Sequence, residues 1–293
     1  MLGVIGGTGL YGVSEILTNV ETLPIQETPF GKTSSPIMVG ELRDDPSKKI
    51  AFIARHGLQH TYLPTEVPYA ANIYALKLLG VRTLVSFSAV GSLKEEHRPG
   101  HFVMPLQFID RTKGTRRSTF FGDGCVAHVS FADPVCPQLA EDIAAIADKF
   151  LPAGTVTLKL GGTYVCMEGP AFSTRAESNL YRSWGADMVG MTNVTEAKLA
   201  REAEIAYATV GMITDYDCWR VGEAAVSADA VSAVMKHNGE HALALLKAVA
   251  QHLDAAKDYP AHHALRGAIM GRRETMPPET YERLQPLIKE YVH

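Results

Sequence analysis

Short apolar runs recur along the chain, and segments whose apolar residues follow helical spacing lie between them. Runs of this length, rich in β-branched residues, are typical of buried strands. They predict strands over residues 2–5, 37–42, 50–55, 83–90, 102–109, 155–160, 187–191 and 205–213. The intervening segments predict helices over residues 69–80, 137–151, 174–185, 194–204, 227–253 and 277–292. This alternation indicates an α/β fold with a mostly parallel, twisted central sheet flanked by helices.

Residue types at the ends of two predicted helices support the assignment. Thr174 with Glu177, and Asn193 with Glu196, have the spacing of capping boxes, which predicts that helices start there. Gly185 predicts the end of the first of these helices, because glycine readily adopts the left-handed conformation that closes a helix.

Composition indicates the number of domains and excludes several classes of partner and site. The 293 residues are 46% apolar and 20% charged, and no repeat or composition break divides them. We therefore predict one domain over 1–293, with a C-terminal helical segment from about 227 to 293.

The formal net charge of −4 provides no basic surface for nucleic acid. No apolar run has membrane length and no signal-peptide pattern opens the chain, so we expect a cytoplasmic protein without a membrane partner. The four cysteines form no CxxC pair, which argues against a metal site.

In α/β sheets, ligands bind beyond the carboxyl ends of the strands. The first predicted strand ends in Gly7-x-Gly9-x-x-Gly12, which formally matches a dinucleotide-binding fingerprint. The residues that follow are rich in β-branched and cap-type side chains and do not resemble a crossover helix. A dinucleotide-binding protein therefore stays an alternative, while a glycine turn with the Thr8 hydroxyl suits a phosphate or sulfate.

The next two strand ends also carry groups that can bind an anion. Arg55 and His56 follow one strand, with His60 four residues later, and Ser88 and Ala89 end the other. A guanidinium offers a planar fork of donors, and small residues let the backbone approach a ligand. The glycine between the two histidines predicts a loop, so a metal-binding pair is disfavoured.

The later strand ends predict a site for a base and a sugar. Phe172 and Met191 supply apolar surface for stacking, and Thr192 stands beside Met191 before a helix. Glu168 ends another strand, and an unpaired buried carboxylate is costly, so it requires a partner. A ribose diol, a cation or a backbone N–H would each serve.

Two carboxylates, Asp215 and Asp217, end the apolar run 205–213. In an extended chain they would share a face, and two carboxylates that lose solvent raise each other's pKa. A protonated carboxyl at neutral pH can give a proton to N7 of a purine as its glycosidic bond breaks. The other carboxylate can accept a hydrogen bond from an exocyclic amine, whereas an Asp-x-Asp turn on the surface is the structural alternative.

These features occur together in segments that resemble the trimeric purine nucleoside phosphorylase family. The segments run in order along residues 3 to 219: GVIGGTGLY, ARHGLQH, VPYAANIYALK, SAVGSLKEE, QFIDRT, EGPAFSTRAES, WGADMVGMT, EAKLAREA and TDYDCW. The resemblance implies a single-domain nucleoside phosphorylase fold, a homotrimer, no metal and no cofactor. It also implies inorganic phosphate as co-substrate, with a nucleoside as the small-molecule partner.

Carried over residue by residue, the resemblance implies roles for these strand-end groups. It places phosphate at Thr8, Arg55, His56, Ser88 and Ala89, and base and ribose around Phe172, Met191, Thr192, Asp215 and Asp217. We assign Thr192 to the phosphate site as well, and His60 to nucleoside binding. His128 matches a position that family members contribute to a neighbouring subunit's site.

Two positions indicate the substrate within the family. Relatives that act on 6-oxopurine nucleosides carry Asn where Asp215 stands, so Asp215 favours adenine, and Val231 favours a methylthio group over a 5′-hydroxyl. The expected reaction is phosphorolysis of 5′-methylthioadenosine, in methionine and purine salvage. A phosphorylase of inosine, guanosine or methylthioinosine is the alternative. The chain departs from the family pattern at Ala171, where many relatives have Arg, and at Gly190, where some have Asn.

Overall fold

A computed structural model describes residues 1–7, 10–220, 222 and 226–292. The strands are β1 (Leu2–Gly6), β2 (Leu17–Leu23), β3 (Glu27–Thr28), β4 (Gly31–Lys32), β5 (Ile37–Leu42), β6 (Asp45–Ala54), β7 (Thr83–Ser92), β8 (Phe102–Met104), β9 (Gln107–Arg111), β10 (Leu158–Leu160), β11 (Thr163–Met167), β12 (Met188–Gly190) and β13 (Ala206–Asp215). The α-helices are α1 (Tyr69–Leu78), α2 (Pro137–Phe150), α3 (Arg175–Ser183), α4 (Asn193–Glu202), α5 (Ala228–His252) and α6 (Pro278–Ile288). Short 3₁₀ helices cover Tyr11–Ile16, Pro260–His263 and Arg273–Thr275.

One large mixed sheet organises the described residues. Its main path runs β10-β8-β13-β7-β1-β6-β5-β2, and β12, β11 and β9 branch from β7. The centre of the path, β13-β7-β1-β6, is parallel throughout, while the outer pairs β13-β8, β6-β5 and β5-β2 are antiparallel. The predicted α/β class with a mostly parallel sheet flanked by helices is confirmed.

Successive residues of the central strands point to opposite faces, which creates two apolar layers. Val4 packs in a cluster that includes Leu139 of α2 and Leu245 of α5. Its neighbour Ile5 packs in a second cluster that includes Leu199 of α4 and Leu284 of α6. Because both faces of the parallel strands are buried, these strands are apolar without alternation, as the sequence indicates.

One predicted strand needs correction, and one strand on the main path of the sheet is absent from the prediction. The predicted strand 102–109 is two strands, β8 and β9, because Pro105 between them has no N–H to donate to a ladder. Strand β2 was not predicted, although its β-branched residues suit an edge strand; it pairs antiparallel with β5. The same segment decides the glycine motif, since Gly12 lies in a 3₁₀ helix that runs directly into β2. A crossover helix of the dinucleotide-binding type does not follow the turn.

The helix starts follow the predicted capping in one case and not in the other. Thr174 and Glu177 form the predicted capping box at α3. At α4 the N-cap is Thr192, without a side-chain capping bond, so the predicted box of Asn193 and Glu196 is wrong. Both side chains are instead drawn into a buried polar network described below. In the described part of the chain, no helix is long and apolar enough to cross a membrane.

Glu202, the last residue of α4, is a buried carboxyl that accepts two hydrogen bonds. The Thr119 hydroxyl donates to its Oε1 and the Phe120 amide to its Oε2, both over 2.7 Å. Burial nevertheless dominates over these donors and raises the pKa of Glu202 to about 7. Since its unfolded pKa is about 4.3, the folded state binds the proton more tightly, and the contribution to stability falls as pH rises from about 4.3 to 7.

We therefore expect Glu202→Gln to gain stability relative to the wild type as pH rises. Gln keeps the shape and can still pair with Thr119 and Phe120 but has no charge to desolvate. Thermal unfolding at pH 5, 6, 7 and 8 measures the difference in Tm between the two proteins, which should grow up to pH 7 and then level off. Glu141→Gln, at an exposed position of α2, is the control and should show no such trend. A difference that stays constant or shrinks with pH contradicts the raised pKa.

Candidate active site

The carboxyl ends of the parallel strands open into a cavity of about 480 Å³. Register explains the convergence: Gly6 of β1 stands beside Ala54 of β6 and Phe87 of β7, and Asp215 of β13 pairs with Gly91 of β7. The residues that follow these positions therefore meet at one edge. Of the residues predicted for the site, the cavity is lined by Arg55, His56, His60, Ser88, Ala89, Phe172, Met191, Thr192, Asp215, Asp217 and Val231. Thr8 lies outside the described residues.

Ser88 lines the cavity, and its hydroxyl is unsatisfied. Its side chain is 3% exposed, and its Oγ has no hydrogen-bond partner among the described residues. Burying a hydroxyl without a partner costs free energy, and of the buried side-chain atoms without a partner in the described residues, only Ser88 Oγ belongs to a residue that lines this cavity. Ala89 and Gly7 line the cavity beside it, and α4 begins at Thr192 with its N-terminus towards the same region. A helix N-terminus and free donors are suited to an anion.

The Arg55 guanidinium lines the cavity, but protein acceptors occupy more of its N–H groups than the sequence predicts. Its Nε donates to Glu196 Oε1 over 2.5 Å, and its Nη2 donates to Glu196 Oε2 and to Ser86 Oγ. Its Nη1 donates to the Phe87 carbonyl over 3.1 Å. Four of the five N–H groups of a guanidinium are thus used, which leaves one Nη1 hydrogen for a ligand. The predicted fork binds a protein carboxylate, so a bidentate grip on an anion is excluded in this arrangement.

A buried polar network holds this ion pair in place. Both partners are almost inaccessible, with side chains 2% and 1% exposed. Ser86 and Tyr207 donate hydroxyl hydrogens to Glu196 Oε2, and Asn193 Nδ2 lies within 3.0 Å of the hydroxyl oxygens of Ser86, Tyr207 and Thr209. The network explains why Asn193 and Glu196 do not cap α4.

His56 is held as a neutral imidazole. Its Nδ1 lies 2.9 Å from the Tyr62 carbonyl, which fixes Nδ1 as the protonated nitrogen and leaves Nε2 with a lone pair. Burial, followed by the charge of Arg55, lowers the pKa of His56 to about 4. The ring stacks on His60 with centroids 4.5 Å apart. At neutral pH His56 is therefore an acceptor at Nε2, able to receive a hydrogen bond from a protonated oxyanion.

At the end of β13, where Asp215 pairs with Gly91, the two aspartates are arranged differently from the sequence prediction. The backbone is not extended between them, because Asp217 adopts a left-handed conformation with φ of 51°. Its amide donates to Asp215 Oδ1 over 2.7 Å, and the Thr214 hydroxyl donates to Oδ2 over 2.7 Å. Burial raises the pKa of Asp217, with the charge of Glu177 a minor contributor. A raised pKa was predicted for the pair from mutual repulsion; burial is its main cause at Asp217.

Apolar side chains from two loops and one helix form much of the remaining cavity wall. Phe172 and Pro170 follow β11, Met191 follows β12, and Val231 lies on α5. Glu168, at the start of the first loop, does not face a ligand. It accepts hydrogen bonds from Thr65, from the Lys113 amide and from Arg116, so a cation, a hydroxyl and a backbone N–H satisfy it.

His128 does not reach the cavity of its own chain. It is exposed, and its backbone amide donates to the Ala268 carbonyl. The predicted role of His128 in a neighbouring subunit's site therefore stays a prediction. Among the described residues, no group of three or more His, Cys, Asp and Glu side chains is placed to hold a metal ion.

With this geometry in place, comparison with known proteins identifies the family. A model of the phosphorylase superfamily matches residues 1–251. The chain belongs to the phosphorylase superfamily. The resemblance read from its motifs is thereby confirmed.

Relatives within the superfamily are similar along nearly the whole chain. The S-methyl-5′-thioadenosine phosphorylase of Geobacter sulfurreducens is 51% identical over 292 residues, covering 100% of this chain and 99% of that protein. The enzyme of the same name from Thermosynechococcus vestitus is 52% identical over 296 residues, covering 99% of each.

Solved structures give the same picture. A methylthioadenosine phosphorylase from an antarctic soil metagenomic library superimposes with a TM-score of 0.88 at 49% identity, covering 98% of both chains. The Schistosoma mansoni methylthioadenosine phosphorylase in complex with adenine superimposes with a TM-score of 0.78 at 33% identity, covering 88% of this chain and 92% of that one.

Sequence reasoning missed two residues that shape the site, Glu196 and Arg116. The spacing of Glu196 from Asn193 suggested a helix cap, which is an ordinary surface role. Arg116 lies in a polar segment after β9 that has no periodic pattern. Both are charged groups buried by long-range contacts, and local sequence provides no signal for such contacts.

Gly190 lines the cavity, and the space around it is tightly packed. A Cβ at this position would lie 2.0 Å from the Tyr164 hydroxyl oxygen, and Tyr164 is fully buried. A side chain at 190 is therefore incompatible with Tyr164 in its present place. The departure from relatives that carry Asn is explained by this pair.

We expect Gly190→Ala to destabilise the protein by ~1–3 kcal/mol, the usual cost of overpacking a core. Tyr164→Val added to it should recover part of this loss, because the smaller side chain vacates the space. Chemical denaturation of the two single variants and the double variant gives the interaction energy. Gly271→Ala is the control, since the nearest atom to its Cβ is 3.8 Å away. Purely additive effects would show that the two residues do not compete for space.

Proposed function

We propose that this protein catalyses the phosphorolysis of 5′-methylthioadenosine to adenine and 5-methylthioribose-1-phosphate, as a pentosyltransferase. The observation that carries the proposal is that one cavity holds both an unsatisfied Ser88 hydroxyl and the Asp215–Asp217 carboxyls, with Asp215 paired to Gly91, three residues beyond Ser88 on β7. A phosphate and a purine need these groups at opposite ends, with the sugar between them. The names of the relatives agree with this substrate.

Bond changes follow from the arrangement. An oxygen of phosphate forms a bond to C1′ as the bond from C1′ to N9 breaks, and the bonding electrons move into the purine. A proton delivered to N7 neutralises the departing base. The pKa of Asp217 is raised, and its backbone N–H donates a hydrogen bond to Asp215 Oδ1. We propose that the two carboxyls act together and that one of them holds this proton. Asp215 stays our assignment for the donor.

At the proposed phosphate site, both neutral and charged groups donate hydrogen bonds to the phosphate. Ser88, the Ala89 backbone and the remaining Nη1 hydrogen of Arg55 donate to phosphate oxygens, and Thr8 completes the set by resemblance. His56 Nε2 accepts from a protonated oxygen of the phosphate. Phe172 and Met191 contact base and ribose, and Val231, beside Val226 and Ala228, provides an apolar subsite for the methylthio group.

The alternatives differ at the base end. Adenine presents N7 and a 6-amino group, which suit one protonated carboxyl and one carboxylate, whereas a 6-oxopurine requires donors towards both N7 and O6, so the Asp215–Asp217 pair favours adenine over hypoxanthine or guanine. The experiment that tests the proposal measures adenine release from methylthioadenosine with and without phosphate, with inosine as the parallel substrate. Release that depends on phosphate, with inosine nearly untouched, supports it. Inosine cleavage at a similar rate contradicts it.

The proposal also covers the oligomeric state, the cellular location and the metabolic role of the protein. We propose a homotrimer in which His128 reaches a neighbour's cavity, located in the cytoplasm and acting in methionine and purine salvage. The exposed position of His128, away from its own cavity, supports this reading. An active monomer in sedimentation at assay concentration would contradict it.

Ser88→Ala is predicted to weaken phosphate binding while leaving the free protein intact. Losing one hydrogen bond of about 1 kcal/mol raises the KM for phosphate roughly 5- to 10-fold, with the nucleoside KM unchanged. Without phosphate the variant should be as stable as the wild type, since the hydroxyl has no protein partner to lose. Ser92→Ala, on the same strand but outside the cavity, should show the reverse, because Ser92 bonds the Lys94 backbone. Equal effects of Ser88→Ala on both KM values would contradict the assignment.

Asp215→Asn is predicted to lower kcat for methylthioadenosine by ~10²- to 10⁴-fold, the usual contribution of general acid catalysis. An amide cannot give its proton to N7 but can donate to O6, so methylthioinosine should gain relative to methylthioadenosine. Asp217→Asn, measured in parallel, identifies which carboxyl supplies the proton: the larger loss in kcat belongs to the donor. The phosphate KM is the internal control and should change little. Full activity of both variants would leave the carboxyls without a chemical role.

A further inference from the structure

Arg116 lies behind the cavity and contacts both loops that form its nucleoside walls. The side chain is 7% exposed and does not line the cavity itself. Its Nη2 donates to the Glu168 carbonyl over 2.7 Å, and its Nη1 donates to the Met191 carbonyl over 2.5 Å. Its Nε donates to Glu168 Oε1 over 2.6 Å. One guanidinium therefore joins the ends of β11 and β12 through their backbones.

The two joined loops carry the cavity residues. Strands β11 and β12 are parallel neighbours in which Cys166 pairs with Gly190, so their loops leave the sheet side by side. Phe172 belongs to the first loop, and Met191 is itself the start of the second. The spacing between these two side chains depends on how the two loops are held.

A second contact locks the same loops from the cavity side. Gly169 has a φ of 72°, and a Cβ placed on it would lie 2.5 Å from Met191 Sδ. The Met191 side chain thus packs directly on the backbone of the other loop. Arg116 and this contact together hold the two loops against each other.

The Glu168 carboxylate serves the arginine and not a ligand. Its oxygens are taken by Thr65, the Lys113 amide and Arg116, and it is 7% exposed. A carboxylate with three protein donors, which does not line the cavity, has no need of a ribose hydroxyl as partner. Its function is to hold the guanidinium in the orientation that reaches both carbonyls.

We propose that Arg116 is a positioning residue that sets the distance between Phe172 and Met191 and so determines nucleoside affinity. The proposal rests on the function proposed above. None of the hydrogen bonds of Arg116 goes to a residue proposed to bind phosphate: its partners are Glu168, Tyr69 and the Met191 carbonyl, which precedes Thr192. Its loss should therefore separate the two substrates.

Arg116→Lys separates positioning from charge pairing. A lysine keeps a positive charge for Glu168, but its single nitrogen lacks the fork that reaches two carbonyls and a carboxylate together. We expect a folded protein whose Kd and KM for methylthioadenosine rise ~10-fold, since about 1.4 kcal/mol corresponds to that factor. The phosphate KM should stay within about twofold. Arg117→Lys is the matched control, because Arg117 is exposed and should leave both constants unchanged.

A second variant guards against a simple folding defect. Arg116→Gln combined with Glu168→Gln removes both charges, so neither is left buried without a partner. It should show the same selective loss of nucleoside affinity, with thermal unfolding reported alongside. Calorimetric titration of methylthioadenosine into wild-type protein comes first: absence of binding there overturns the proposed function. Wild-type affinity retained in Arg116→Lys, or equal losses for nucleoside and phosphate, overturns the positioning role alone.

Discussion

The buried ion pair between Arg55 and Glu196 is the interaction on which the site depends. It joins the end of β6 to α4, and through Ser86 and Phe87 it joins both to β7. Breaking a buried pair by removing one partner typically costs about 3–5 kcal/mol, because the remaining charge has no compensation. The strand ends proposed to bind phosphate are therefore held together by a buried ion pair.

This arrangement has a consequence for the electrostatics of the cavity. Arg55 is neutralised by Glu196, His56 is uncharged, and Asp217 has a raised pKa. The site therefore offers hydrogen bonds and little net charge. A phosphate bound as proposed would stay a better nucleophile than one bound by several cations, and burial raises the pKa of Asp217 towards the range in which a carboxyl can pass a proton to a leaving purine.

Much of the fold and the membership of the site could be predicted, because both depend on local patterns. Buried parallel strands are apolar throughout, and residues at their carboxyl ends meet by topology, so Ser88 and Asp215 could be placed in one cavity from sequence. What could not be predicted was how polar groups share partners once buried. Asn193 looked like a cap and joins a network, Arg55 looked like an anion fork and binds Glu196, and Arg116 gave no local signal. Each depends on residues distant in sequence.

The central claim is that an oxygen of phosphate, and not of water, becomes bonded to C1′ of the nucleoside. The most direct test runs the reaction with phosphate labelled at all four oxygens with ¹⁸O, in ordinary water, and determines the sugar product by mass spectrometry. We predict 5-methylthioribose-1-phosphate that retains all four labelled oxygens, including the one that bridges phosphorus and C1. Free 5-methylthioribose carrying unlabelled oxygen at C1, formed at the rate of adenine release, would contradict the account.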